Sequence, residues 1–348
     1  MGHITLKTIA ERLNISIATV SWVLAGKGKE RKISPATQER ILLCAESMNY
    51  HPNMLARALT RGVSNTVGLI LPSISDSFYS AIAKAIELSL DKIDYSLMIC
   101  SSESETLREN RMISMLKSHR VGGIILAPME ISKVEIRQLI NESYPLVLFD
   151  RFFPDLPANY VLIDNEESSY KLVDHLIRKG SRKIACITIN PHLHHMNLRR
   201  KGYEKALKKH RLEINPELIG EVAFHGYEKD IPATLDRIFH QVPEVDAFFF
   251  ASHILAIEAF QYFRVHHMDY NRKFRLGSIH EEPLFQNIAP HINVAMMPVA
   301  KIGRQIVDIL AEQMNVKYSP PNTTTLETKE NINRSVVLPC KLIIRDNN

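Results

Sequence analysis

From Thr66 onward the chain repeats one unit: a short apolar run, then a stretch whose apolar residues fall at helical spacing. The runs occupy 67–71, 95–100, 123–127, 146–149, 183–188, 245–251 and 274–278. Runs this short and continuously apolar fit strands buried on both faces, and two such strands laid parallel need a crossover long enough to hold a helix. The alternation therefore predicts an α/β region of doubly wound parallel sheets with helices on both faces. In such sheets ligands bind beyond the carboxyl ends of the strands.

The residues before Thr66 do not follow that rhythm, and their charge also sets them apart. Positions 1–62 hold Lys7, Arg12, Lys27, Lys29, Arg31, Lys32, Arg40, Arg57 and Arg61 against Glu11, Glu30, Glu39 and Glu46, so this head carries the whole +5 net charge of the 348-residue chain. A basic head on a balanced body is the distribution of a nucleic-acid binder, because Lys and Arg neutralise phosphates. Other classes are disfavoured. No apolar run approaches the roughly 20 residues that cross a bilayer. Positions 1–6 lack the basic region and apolar stretch of a signal peptide, so a cytoplasmic protein with no membrane partner is expected. Cys44, Cys100, Cys186 and Cys340 show no paired spacing, which fits reduced thiols rather than disulfides or a structural metal. His192, His194 and His195 crowd one loop without acid or Cys partners at ligand spacing, so neither metal nor cofactor is assigned.

Within the head, Thr5 is placed to cap a helix running to about Leu13, with Leu6, Ile9, Ala10 and Leu13 on its buried face. Asn14 tolerates the left-handed backbone of a tight turn, and Ser16 is the N-cap of a second helix. Val20, Val23 and Leu24 then point inward, which leaves Ile17, Ala18, Ser21 and Trp22, the only tryptophan, pointing out. Ser34-Pro35 opens a third helix whose apolar residues are Ile41, Leu42, Ala45 and Met48. The expectation is a three-helix head containing a helix-turn-helix.

The strings Thr5-Leu6-Lys7-Thr8-Ile9-Ala10, Ser16-Ile17-Ala18-Thr19-Val20-Ser21-Trp22-Val23-Leu24, Tyr50-His51-Pro52-Asn53 and Ala56-Arg57-Ala58-Leu59 closely resemble the LacI/GalR family of transcriptional regulators. The resemblance implies that the second helix enters the major groove, where Ile17, Ala18 and Trp22 face base edges. It also implies that Ser16, Thr19 and Ser21 offer hydroxyls to phosphates, with Thr5, Leu6 and Lys7 beside them. Asn53, Ala56, Arg57 and Leu59 would belong to the family's hinge helix, which folds on operator DNA and wedges Leu59 into the minor groove. Two departures stand out. The family usually carries Arg where this chain has Trp22, so an apolar reading face favouring thymine methyls is expected there. The 26–32 loop is about three residues longer than usual in the family and brings Lys27, Lys29, Arg31 and Lys32, expected to touch phosphates.

The resemblance continues through the body and implies a type I periplasmic-binding-protein-like domain of two doubly wound parallel-sheet subdomains around a cleft. The domains expected are 1–52 for the head, 53–64 for the hinge and linker, and 65–348 for effector binding and dimerisation. Crossovers near Asp164, Val294 and Asn331 would give one subdomain about 65–164 plus 295–331 and the other 165–294 plus 332–348. By the same resemblance the effector site comprises Ser73, Asp76, Phe78, Asp150, Arg199, Ser252, His253 and His280. His253 and His280 stand where the family keeps acids. That exchange removes negative charge and brings groups that titrate near neutral pH, so an anionic effector such as a sugar phosphate is expected. The whole reading is a homodimeric, effector-controlled repressor on double-stranded operator DNA, with induction and corepression both open. No GxSxG, P-loop or HExxH motif is present, so no enzyme is expected.

Overall fold

The structure, a computed structural model, describes residues 4–50, 64–129, 133–189, 193–316 and 334–345. The chain divides into two compact units, Met1–Ser64 and Asn65–Asn348. The expected hinge residues Asn53, Ala56, Arg57 and Leu59 lie outside the described residues.

In the first unit, α1 (Leu6–Leu13) is capped by Thr5, whose side chain and that of Thr8 reciprocally satisfy each other's backbone N–H. Asn14 closes the helix in the left-handed conformation, φ 53°, as a tight turn into the next helix demands. Ser16 then caps α2 (Ile17–Leu24) by accepting from Thr19 N, and Ser34 caps α3 (Pro35–Ser47), with Pro at the start where its missing N–H costs nothing. Ile9, Ala10, Val20, Val23, Ile41, Cys44 and Ala45 form the shared core. Leu42, one of the apolar residues of this helix, is 52% exposed. The inward stripe of α3 runs through Ile41, Cys44, Ala45 and Met48, which places Leu42 about a quarter-turn off that face.

In the second unit two six-stranded sheets stand in sequence. The first contains β1 (Thr66–Leu71), β2 (Ser96–Ser101), β3 (Gly123–Leu126), β4 (Leu146–Phe149) and β5 (Asn159–Ile163). The second contains β6 (Ile184–Ile189), β7 (Ile219–Val222), β8 (Ala247–Phe250), β9 (Arg275–Ile279) and β10 (Asn293–Met296). The C-terminal strands β11 (Ser335–Leu338) and β12 (Lys341–Ile343) divide between them. The orders are β11-β5-β4-β3-β1-β2 and β12-β10-β9-β8-β6-β7. Pairing is parallel except between β10 and β12.

The chain passes between the sheets after β5, after β10 and between β11 and β12. The third passage differs from the expectation near Asn331, which gave both C-terminal strands to the second subdomain. Ser335 to Leu338 pair with Tyr160 to Ile163, so β11 belongs to the first sheet and the crossing falls at Pro339-Cys340. A half-exposed edge strand such as β11, in which Val337 is 54% exposed, carries little apolar pattern; Pro339, without an N–H, marks where its ladder stops.

Behind the strand ends, the helices Asn165–Arg178 and His194–Lys209 meet with almost no gap at Gly202. A Cβ there would lie 2.2 Å from Glu166 O and 2.8 Å from Ser169 Cβ. Backbone cannot yield as a flexible side chain can, so Gly202→Ala is expected to force these helices apart. Urea unfolding of the full chain should show a loss of about 1–3 kcal/mol, and an unchanged midpoint would mean the contact is looser than described.

Candidate functional site

The second helix of the head presents a compact set of groups. Ile17 is 48% exposed, Trp22 is 37% exposed and Ala18 is also exposed, while Ser21 is half-buried. Ser16 Oγ and Thr19 Oγ1 lie 2.8 Å apart at its start, and Lys7 is an exposed cation within reach of Glu11. Leu6 is half-buried against the head core. Trp22 is not a bare apolar surface, however. The guanidinium of Arg31, from the 26–32 loop, sits 4.9 Å from its ring centroid.

The body places most of its expected effector residues at strand ends that face one another. Phe78 begins the helix Ser77–Asp91, and its ring stacks on His280 at 4.5 Å and 10°. Asp76 caps that helix by accepting from Phe78 N and Tyr79 N, and its carboxylate also lies 3.6 Å from His253 Nε2. Ser252 is the buried N-cap of the helix His253–Val265. Ser73 lies apart from this cluster, its hydroxyl accepting from Ser75 N.

The deepest charge is Arg199, only 1% exposed. Its Nε donates to Asn165 Oδ1 at 2.8 Å and its Nη1 to the Ala251 carbonyl at 2.7 Å. Its Nη2 is buried with no acceptor among the described residues, and Arg151 Nε, ion-paired with Asp150 at 3.7 Å, and His280 Nε2 are likewise buried without a hydrogen bond. Asp150, at the end of β4, accepts from the Tyr79 hydroxyl at 2.7 Å. Burial pushes the Asp150 carboxyl up, but His195, Arg151 and Arg199 outweigh it and hold it below its ordinary value. A cavity of about 270 Å³ lies beside Asp150, the one expected effector residue in its lining, and is lined also by Arg151, Asn165, His195, Phe152 and Tyr160.

Hydrogen-bond directions fix what the histidines offer. Ser77 Oγ donates to Glu282 Oε2 at 2.5 Å, so it accepts from His253 Nε2 at 3.3 Å. His253 Nδ1 is then unprotonated and accepts from His280 Nδ1 at 3.1 Å. That leaves His280 Nε2 as a bare acceptor, because a neutral imidazole carries one N–H. The expectation that these residues titrate near neutral pH is therefore corrected. Burial and the charge of Arg199 hold His280 well below the ordinary histidine value, and burial lowers His253 against the pull of Asp76 and Glu282.

Sequence reasoning did not single out Ser77, Tyr79, Arg151, Asn165, His195 or Glu282 as site residues. Tyr79, Arg151 and His195 flank residues that it did name or grouped, and that adjacency was the available signal. Glu282 carries none, since it reaches Ser77 across 205 residues.

A helix-turn-helix with an exposed second helix, joined to two parallel-sheet lobes meeting at their strand ends around a buried arginine, defines a DNA-binding regulator with a ligand-binding body. Residues 64–263 match the family described as periplasmic binding proteins and sugar binding domain of LacI family, and residues 5–53 match bacterial regulatory proteins, lacI family. The chain belongs to the LacI family, and it is a transcriptional regulator rather than an enzyme. It is similar to the HTH-type transcriptional regulator DegA of Bacillus subtilis, 28% identical over 306 residues that cover 86% of this chain and 88% of that one. Among solved structures it resembles the lac repressor dimer bound to operator and the anti-inducer ONPF, with a TM-score of 0.81, 18% identity and 99% of both chains covered. It also resembles the Cra transcriptional dual regulator of Pseudomonas putida in complex with fructose 1-phosphate, with a TM-score of 0.68, 19% identity, and 81% of this chain and 99% of that one covered. Among the described residues no helix is long and apolar enough to cross a membrane.

The buried imidazoles give the body a measurable pH dependence. Burial pushes His195 down to about 3, against the pull of Asp150, and His253 and His280 are lowered as well. Below the ordinary value of 6.5 the unfolded chain takes up protons that the folded chain refuses. Stability is thus complete above about pH 6.5 and falls with pH below it, by up to about 1.4 kcal/mol per pH unit for each histidine. Urea titrations at pH 7 and pH 5 should show this fall, and His195→Asn should make it shallower; equal slopes in the two proteins would refute the assignment.

Proposed function

We propose that this chain is a cytoplasmic repressor that binds a near-palindromic operator as a homodimer and whose operator affinity is set by a small molecule held between the two subdomains. Two heads related by a two-fold axis would read two half-sites, and the likeness to the lac repressor dimer supports that assembly. Ile17, Ala18 and Trp22 would face base edges, while Thr5, Leu6, Lys7, Ser16, Thr19 and Ser21 would hold the helix in register against the backbone. Asn53, Ala56, Arg57 and Leu59 are proposed to form the hinge that enters the minor groove. Effector binding would change the angle between subdomains and so the spacing of the hinges.

The effector is proposed to be an anionic, hydroxylated metabolite of the sugar phosphate type, held among Ser73, Asp76, Phe78, Asp150, Arg199, Ser252, His253 and His280. The observation that carries this reading is the pair of unsatisfied groups inside the body. Arg199 Nη2 is a buried donor on a permanent cation, and His280 Nε2 is a buried acceptor. A buried polar group without a partner costs about 1–3 kcal/mol, and a ligand bearing both an anionic oxygen and a hydroxyl would relieve both costs at once. The likeness to the Cra regulator of Pseudomonas putida, solved in complex with fructose 1-phosphate, supports a ligand of this class. Phe78 would lie against the apolar face of the ring.

Calorimetry of the full chain against a panel of sugar phosphates, hydroxy acids and neutral sugars tests the class. At least one anionic member is expected to bind and to change operator affinity in a gel-shift assay. Arg199→Gln should weaken that binding by about 10- to 100-fold, the worth of a charge-assisted hydrogen bond, while leaving operator binding without ligand in place. Binding of neutral sugars alone would overturn the anionic reading.

A further inference from the structure

We propose that Arg31 is a specificity-determining residue of this regulator, a guanine reader that the 26–32 loop delivers onto the recognition helix over Trp22. The assignment rests on the reading of α2 as the helix that faces base edges. Three observations carry it further.

The loop is held at both ends. At the helix end Lys27 N donates to Trp22 O at 2.8 Å and Gly26 N to Val23 O at 2.9 Å, with Gly26 in the left-handed region, φ 74°. At the far end Ile33 N donates to Gly28 O at 2.9 Å, and Gln38 Nε2 from α3 donates to Ile33 O at 2.7 Å. Gly28 is buried against Gln38, where a Cβ would lie 2.5 Å from the amide carbon, so the loop closes on α3. Between these anchors Arg31 N donates to Lys27 O at 3.0 Å, one turn that sets where the arginine side chain leaves the backbone.

The guanidinium then lies over the exposed face of α2. Its carbon is 4.9 Å from the Trp22 centroid, within the range of a cation–π contact, in which a tryptophan ring is the preferred partner. Trp22 is itself 37% exposed in the last turn of α2, so the cation sits on the reading side of the helix rather than at its periphery. The Arg31 side chain has no hydrogen bond or ion pair among the described residues. The contact with the ring leaves the guanidinium N–H groups without a hydrogen-bond partner among the described residues. A planar fork with free donors on a groove-facing surface matches O6 and N7 of guanine.

Trp22 itself has no fork to offer guanine, and its indole becomes the platform that orients the guanidinium of Arg31. Lys27, Lys29 and Lys32 remain as point charges suited to phosphates.

Selection of the full chain on a random DNA pool, followed by affinity measurements on the enriched site, tests this. The wild-type protein is expected to enrich guanine at one symmetric step in each half-site. Arg31→Ala should lower the preference for guanine at that step by about 10- to 100-fold, the range of a bidentate arginine contact, and leave the other steps as they were. Arg31→Lys should not restore it, since an ammonium lacks the fork. Trp22→Ala should weaken the same step with Arg31 still present; if that variant unfolds by circular dichroism, Arg31→Ala, which alters an exposed side chain, decides alone. An Arg31→Ala protein that binds all sequences more weakly by one factor, with a shallower salt dependence, marks a phosphate clamp and overturns the proposal, as does one whose selected site is unchanged. A wild-type protein that enriches no sequence overturns the base-reading role of α2 itself.

Discussion

The body is organised around a charge that it cannot discard. A guanidinium stays protonated in any protein environment, so burying Arg199 obliges the surroundings to supply acceptors and a counter-charge. They come from both lobes. Asn165 stands at the first crossover, the Ala251 carbonyl closes β8 in the second sheet, and Asp150 closes β4 in the first. Asp150 is held in turn by Tyr79, from the helix that follows β1. One side chain thus gives the strand ends of two sheets a common electrostatic centre. Its Nε and Nη1 are hydrogen-bonded, and Nη2 is left over.

The same charge shapes what the neighbouring histidines can be. Burial, reinforced by the charge of Arg199, holds His280 well below its ordinary value, and burial lowers His253 and His195 too. In place of family carboxylates they therefore act as directional hydrogen-bonding groups and not as charges. The order from Glu282 through Ser77 and His253 to His280 settles each proton in turn. Its outcome is a buried acceptor at His280 Nε2, in addition to the buried donor at Arg199 Nη2.

The fold was legible wherever burial wrote a continuous pattern. Runs such as 146–149 and the cap residues Thr5, Ser16 and Ser34 carry their structure locally, because strand burial and helix termini are decided within a few residues. What escaped was non-local. β5, β7 and β10 are short strands with polar members, and β11 declares its sheet only by pairing with β5. In the site, Phe78 and His280 meet as the motifs implied, whereas Glu282 and Ser77 meet because the lobes close upon each other. The protonation of His253 and His280 was misjudged for the same reason: a residue's ordinary titration is a sequence property, but its desolvation belongs to the packed structure.

Contacts between the lobes also bound how a ligand can act. Ser77 with Glu282, Asp76 with His253, and Phe78 on His280 join the first lobe to the second without any effector. A molecule entering between them must replace these contacts, and it shifts the lobe equilibrium only by the difference between what it gains in each arrangement. A ligand that merely separated Phe78 from His280 would favour the open form. One that satisfied Arg199 Nη2 and His280 Nε2 while still touching Phe78 would recover in the closed form what it displaced. The sign of the regulatory response therefore depends on whether the effector spans the lobes or lies against one of them, and a short anionic ligand held only by Arg199 need not act like a longer one that also reaches Phe78.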